Sequence, residues 1–520
     1  MIPDIVVRNG TVLDGTGAPP IRADLVIAGG RIAELTSSPP VAAEEIDASG
    51  LIVSPGFIDI HSHADFTLLV DPRAQSALSQ GVTLEVLGNC GHGCFPIRNA
   101  QLAKTAIYGV SDHIALDWNS CAGYLDLLEA ASPAVNVITL VPNGQLRQAV
   151  TGIKDGKANR KELGEMVRLL EDGLEAGAFG YSTGLEYPLE RGADSSEISR
   201  LLEPVAARSL LYATHTRDRD ESAAEAVAEA IETARRSEVR LQISHLMPRG
   251  SPDDADRCIE LVDTAKNSGQ DIAFDMHTRK FSMTFLHAML PPWALGNDIA
   301  KMAGDLEASR RIIEHKSVLS TIGWERIVLL DNDVVPQFSR MTITDIAGRM
   351  NLSPARAALQ LLCDAAGHPQ PLMIIAQIYS NGDQKKAFSH PLCMPGSDAT
   401  TLAMDGPLAN STFHGAYDWA SWFYRFTVHE HHILNPETAI HRLTGQPAAV
   451  LGLSDRGVIK PGAMADIAIF DDPGFREQTT LWQPNSLSSG MKYVLVNGSV
   501  AYRDGKVSPK RTGKVLRKLN

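Results

Sequence analysis

Seven short apolar runs between residues 56 and 276 alternate with segments of helical spacing, and this alternation constrains the fold more than any other feature. The runs cover 56–60, 82–87, 135–141, 178–182, 210–214, 241–244 and 271–276. Between two of them, Leu163, Met166, Val167, Leu170 and Leu174 fall on one face of a 3.6-residue period. Residues 221–236 form an Ala- and Glu-rich helical stretch. Strands that alternate with helices pair in parallel, because each crossover returns the chain to the same edge. An eighth strand before Gly396-Ser397-Asp398 closes a (β/α)8 barrel, so the predicted class is α/β.

The two ends of the chain read differently. Residues 4–13 predict two short strands around Asn9-Gly10, a hairpin signal, and residues 24–35 repeat the pattern around Gly29-Gly30. Residues 466–470 and 493–500 are strand-like, with turns at Asn497-Gly498 and Asp504-Gly505. Residues 1–53 and 451–520 are therefore expected to pair into one small β-sandwich, since domain termini often lie close together. Residues 54–450 form the barrel, and about 281–390 is too long for one crossover. This interval predicts an insertion after strand 7 that covers the barrel mouth.

Composition narrows the function classes. Forty-eight basic against 61 acidic residues give a net charge of −13, which argues against a nucleic-acid binder. No run of ~20 apolar residues suggests a membrane span, and the N-terminus lacks the pattern of a signal peptide. The six cysteines are scattered rather than spaced as a disulfide framework, so a reducing cytoplasm is the expected compartment. The expected partner is a small molecule, and the chain is compatible with a homo-oligomer.

Barrel active sites form at the carboxyl ends of the strands, and ligand-type residues recur there. Strand 1 ends in His61-Ser62-His63, whose imidazoles at i and i+2 point to one side. Strand 2 leads to Cys90, strand 5 to His215, strand 6 to His245 and strand 8 to Asp398. Imidazole, thiolate and carboxylate together suit Zn²⁺. Zinc lowers the pKa of a bound water to about 7, and a neighbouring carboxylate can shuttle its proton. His92 reads as a loop histidine, and His429, His431 and His432 as a surface or lid cluster.

In order along the chain stand PGFIDIHSHAD (55–65), SQGVTLEVLGNCG (79–91), YSTGLEYP (181–188), ATHTRD (213–218), QISHL (242–246), LPPWAL (290–295), HPLCMPGSD (390–398) and GVIKPGAMADIAIF (457–470). These blocks resemble those of the amidohydrolase superfamily and, within it, the N-acyl-D-amino acid deacylase (D-aminoacylase) family, over nearly the whole chain. The resemblance implies a zinc barrel, a β-sandwich from both termini and a lid inserted after strand 7. It implies that Cys90, His215 and His245 hold a tight zinc, and that His61, His63 and Asp398 form a weaker second site. Asp398 becomes the general base and acid, and Tyr187 a substrate-side residue. Strand 4, AFGYSTG, has no lysine to bridge two metals, and Cys90 fits as its substitute.

Two departures concern the substrate. Met247 stands where the family has a lysine that helps hold the substrate carboxylate, and HTRKFSMT (277–284) replaces an aromatic YPYTAGST-like run. Either Arg279 or Lys280 supplies the missing cation, or the substrate lacks that carboxylate; the apolar pair Met247 and Phe281 favours the second. The expected activity is zinc-dependent hydrolysis of an amide in an N-acyl amino acid or related compound. Hydrolysis of a cyclic amide or imide is the alternative, and a non-catalytic scaffold a more distant one.

Overall fold

A computed structural model describes residues 2–104, 107–109, 114–154, 156–249, 252–295, 297–368 and 371–518. Eight parallel strands lie where the apolar runs place them. They are strand 1 (Phe57–Asp59), strand 2 (Val82–Leu87), strand 3 (Asn136–Thr139, resuming as Val141–Pro142), strand 4 (Gly180–Gly184), strand 5 (Leu211–His215), strand 6 (Arg240–Ile243), strand 7 (Ile272–His277) and strand 8 (Cys393–Gly396). Strands 1 to 3 pair in order, and the second half of strand 3 begins a further run through strands 4, 5, 6, 7 and 8. A parallel bridge between Ser62 and Ala399 joins the chain just beyond strands 1 and 8. Each of these strands is buried along nearly its whole length, as expected for strands packed on both faces.

The crossover helices follow local rules. The helix Arg160–Glu175 starts with a reciprocal capping box between Asn159 and Glu162, which satisfies two backbone donors at its first turn. Its buried face is Met166, Val167, Leu170, Gly173 and Leu174, the face that the periodicity predicts. No helix among the described residues is long and apolar enough to cross a membrane.

Between strands 7 and 8 the chain builds a separate unit. Phe281–Phe285, Met373–Gln377 and Ile327–Leu329 form a three-stranded antiparallel sheet, backed by the helices Ile343–Met350 and Pro354–Asp364. Its apolar cluster, which includes Leu329, Ile346, Leu361 and Ile374, is distinct from the main core. The unit also holds two short helices, Ile299–Gly304 and Leu306–Ile313, each opened by an aspartate cap.

The two chain ends meet. Ile52–Pro55 pairs antiparallel with Ile467–Phe470 inside a seven-stranded sheet, and a second sheet of four strands contains Ile5–Arg8. Ile5, Val7 and Ile27 of the smaller sheet share one apolar cluster with Val53, Ile467 and Leu495 of the larger. The hairpins at Gly29-Gly30 and Asn497-Gly498 form as predicted. The hairpin predicted at Asn9-Gly10 does not. Ile5–Arg8 pairs with Asp24–Ala28 and Glu44–Asp47, whereas Thr11–Val12 pairs with Ile21–Arg22 and Ile52–Pro55. Asn9 adopts the expected left-handed conformation, φ 64°, but its side chain donates to Asp47 and its backbone N–H to Asp24. The chain thus turns out of one sheet and into the other.

The turn after strand 2 depends on glycine. Gly88 sits at φ +76°, and a Cβ there would lie 2.3 Å from the Leu140 carbonyl oxygen. Gly462 has a similar φ of +85° and open space around it. Gly462→Ala should therefore cost about 1 kcal/mol, the ordinary left-handed penalty. Gly88→Ala should cost clearly more, because fixed backbone is in the way. Thermal unfolding of the two variants checks this; equal losses would contradict the crowding argument.

Candidate metal centre and active site

The residues predicted at strand ends converge. His61, Cys90 and His245 place ligand atoms within 4.8 Å of one another, and so do His61, His63 and Asp398. His61 belongs to both groups. Its Nε2 lies 3.2 Å from Cys90 Sγ and 3.6 Å from Asp398 Oδ1. Cys90 Sγ lies 3.5 Å from His245 Nε2, and His63 Nε2 lies 3.2 Å from Asp398 Oδ1. The backbone aims these groups at a cost. Cys90, His245 and Asp398 all have left-handed φ, at 54°, 37° and 45°. Such conformations cost about 1 kcal/mol or more outside glycine and cluster where a side chain must be pointed.

His215 stands beside these groups rather than within them. Its ring packs edge-on against that of His245, with centroids 4.5 Å apart. Its Nε2 is 2.7 Å from Glu186 Oε2, while its Nδ1 is buried without a hydrogen-bond partner. A carboxylate on one ring nitrogen fixes the tautomer and leaves the other lone pair for a metal. The buried Nδ1 of His215, the thiol and the further imidazoles form a donor set that fits zinc.

Beneath the ligands lies a carboxylate that sequence reasoning did not single out. Asp275, in the middle of strand 7, is 1% exposed. Its Oδ1 accepts from His61 Nδ1 at 3.0 Å and from the His245 backbone N–H at 2.9 Å, and its Oδ2 accepts from Gln242 Nε2 at 2.6 Å. An acid inside the apolar run IAFDMH was the available signal. A second acid, Asp59 on strand 1, accepts from the Ser397 and His61 backbone N–H groups, and burial pushes its carboxyl up to about 7.

Burial and neighbours divide the titratable groups. Burial lowers the His215 imidazole to about 4 against the pull of Glu186, and holds His245 well below its usual range, with Arg219 and His215 adding to the effect. Both rings are therefore neutral at pH 7 and have lone pairs to give. Burial opposes protonation of His61 as well, but Asp275 and Cys90 outweigh it and hold that ring well above its usual value. Burial likewise works against ionisation of Asp398; the hydrogen bond from His63 and the Arg279 charge reverse this and hold the carboxyl below the ordinary range.

The expected substrate residues are placed differently from one another. Tyr187 lines the cleft above the ligands, its ring 4.7 Å from that of His215 and 4.4 Å from that of His92. Arg279 is tied to the chain around Asp398. Its Nη1 donates to the Ser397 and His414 carbonyls, and its Nη2 to the Asp398 carbonyl and to Asp398 Oδ2 at 3.0 Å. Lys280 is exposed and, with Phe281, lines a separate cavity on the far side of Arg279. The Met247 side chain joins the main core, and it is not among the residues that line the cleft. His429 and His432 bond to Asp472 and to the Val428 carbonyl, away from the ligand groups.

The cleft has a roof from the insertion, through Ser282, Met283, Thr284, Leu319, Ile322, Ile374 and Ala376. Its cations are two arginines absent from the predicted set. Arg249 is paired with Glu186 and with Asp220, the latter at 2.9 Å. Arg219 donates through Nη2 to the carbonyls of His245 and Met247 and to the Tyr379 hydroxyl.

Comparison with known proteins agrees with this architecture. The model of the "Amidohydrolase family" matches residues 44–313 and 399–502. The N-acyl-D-glutamate deacylase of Alcaligenes xylosoxydans xylosoxydans is 32% identical, over 99% of this chain and 96% of that protein. The N-acyl-D-aspartate deacylase of the same organism is 31% identical, over 99% and 95%. The crystal structure of N-acyl-D-glutamate deacylase from Bordetella bronchiseptica, complexed with zinc and a phosphonate inhibitor that mimics the tetrahedral intermediate, superposes with a TM-score of 0.82 at 28% identity, over 99% of this chain and all of that one. A strand-end set of imidazoles, thiol and carboxylate, carried on a chain similar to these proteins along its length, places this protein in the amidohydrolase family.

Proposed function

We propose that this chain is a zinc-dependent amide hydrolase that removes the acyl group from an N-acyl-D-amino acid. The convergence of His61, His63, Cys90, His215, His245 and Asp398 on one cleft carries the reading, and the full-length likeness to deacylases supports it over the cyclic-imide alternative. The parallel strands are read as a closed (β/α)8 barrel (54–450), the terminal sheets (1–53 and 451–520) as a sandwich, and the insertion as a lid. Cys90, His215 and His245 would hold the tight zinc, and His61, His63 and Asp398 a weaker second one. When bound, zinc supplies the Lewis acidity that makes water nucleophilic at neutral pH and polarises the scissile carbonyl.

The remaining steps belong to the protein. Asp398 Oδ1 faces His63 and is the proton acceptor; Oδ2 is tied to Arg279, which holds the carboxylate in place. The same oxygen returns the proton to the leaving nitrogen. Asp275 keeps the His61 ring turned toward the cleft, and Glu186 does so for His215. Tyr187 and the roof residues exclude water from the bound amide. Beside Tyr187, Pro188, Leu189, Phe285, Ala288 and Leu295 line an apolar recess suited to the acyl group.

The testing experiment is a hydrolysis screen of N-acyl-D-amino acids, their L-enantiomers, cyclic imides and uncharged amides. Activity confined to cyclic imides would replace this reading. Cys90→Ala and His215→Ala should purify with much less zinc than the parent, because each removes one ligand from a small set. Full metal content with normal turnover in both would remove the ligand assignment. Asp398→Asn keeps the shape and removes the proton acceptor, so kcat should fall by about 10²–10⁴ with the tight zinc retained. Turnover within about threefold of the parent, well below that range, would make Asp398 a spectator.

A further inference from the structure

Arg219 is a buried cation without an acid. It is 5% exposed and lines the cleft beside His215, His245 and Asp398. The hydrogen bonds of its guanidinium all leave from Nη2 and end on neutral groups: the His245 carbonyl at 2.7 Å, the Met247 carbonyl at 3.0 Å and the Tyr379 hydroxyl at 2.7 Å. Nε is buried with no partner. Among the described residues no carboxylate oxygen lies within 4.0 Å of it. Glu186, the acid whose charge it feels, is already held by His215 and Arg249.

The other nearby cations are committed. Arg249 is neutralised by Glu186 and Asp220, Arg279 is spent on Asp398 and two carbonyls, and Lys280 faces a different cavity. A charge buried among neutral acceptors is expensive unless a partner arrives, and a guanidinium suits a carboxylate because it offers donors in a planar fork.

On the reading given under Proposed function, we infer that Arg219 is the residue that binds a substrate carboxylate. It does so from the loop after strand 5, in place of any group at position 247. The substrate is then an anionic N-acyl amino acid and not an uncharged amide. Because Nη2 is anchored on the carbonyl of His245, the carboxylate is registered against the same backbone that carries that imidazole.

Kinetics of the zinc-loaded enzyme on three compounds test this: N-acetyl-D-methionine, N-acetyl-D-glutamate and the uncharged N-acetyl-D-methioninamide. Arg219→Gln should raise KM about tenfold or more for the carboxylates, with kcat little changed and zinc content intact. The methioninamide should be unaffected, and Arg219→Lys should recover part of the loss. A loss for the glutamate alone would assign Arg219 to the side-chain carboxylate; a loss for both acids assigns it to the α-carboxylate. Equal losses on all three compounds, or none, would overturn the inference, the first by showing a merely structural arginine. Calorimetric binding of the same compounds to parent and variants decides the matter independently of turnover. Carboxylate binding that depends on Arg219 in a chain that hydrolyses none of them would sink the deacylase reading and leave this inference standing. Arg219-independent binding would do the reverse.

Discussion

The site is held together by one buried carboxylate. Asp275 accepts from the ring of His61 on strand 1, from the backbone of His245 after strand 6, and from Gln242 within strand 6. Two regions far apart in sequence, the end of strand 1 and strand 6 with its following turn, are thereby fixed to the middle of strand 7. An unpaired carboxylate at this depth would be strongly disfavoured, so the bonds that satisfy Asp275 also set the directions of two imidazoles. The left-handed turns at Cys90, His245 and Asp398 are affordable because the surrounding strands over-determine them. The result is a cleft floor whose ligand-type side chains are held by hydrogen bonds to Asp275 and to one another.

Charge is apportioned with the same economy. Arg279 offsets Asp398 and Arg249 offsets Glu186 and Asp220, whereas among the described residues no acid pairs with the cleft-lining Arg219. This pattern separates cations that build the site from one that can read a ligand. The sequence reading of a less charged substrate rested on Met247 and Phe281. Neither apolar side chain lines the cleft.

Much of the fold was legible because parallel strands buried on both faces write themselves as continuous apolar runs, and each of the seven runs, with the stretch before Ser397, became a strand. The ligand candidates were legible because they sit where such runs end. Three things were not. The strands flanking Asn9-Gly10 carry the signature of a hairpin, yet the pairing partners were chosen by burial against Val53 and Ile27, which are distant in sequence. The role of Asp275 was hidden because an acid in a strand does not declare which neighbour it faces. Arg219 was hidden among the charges of THTRDRD, where only three-dimensional pairing tells a solvated arginine from a buried one. Sequence proximity did not tell where the substrate-side candidates lie: Tyr187 lines the cleft, Arg279 bonds to Asp398, and Lys280 lines another cavity.

On the proposed function, this floor holds a catalytic zinc through Cys90 and its neighbouring imidazoles. Anomalous diffraction at the zinc absorption edge, from crystals of the zinc-loaded protein, locates the metal. The strongest peak is expected within bonding distance of Cys90 Sγ, His245 Nε2 and His215 Nδ1, with any weaker second peak between His61, His63 and Asp398. A strongest peak outside Cys90's reach, or no peak in the cleft at full zinc loading, would contradict it.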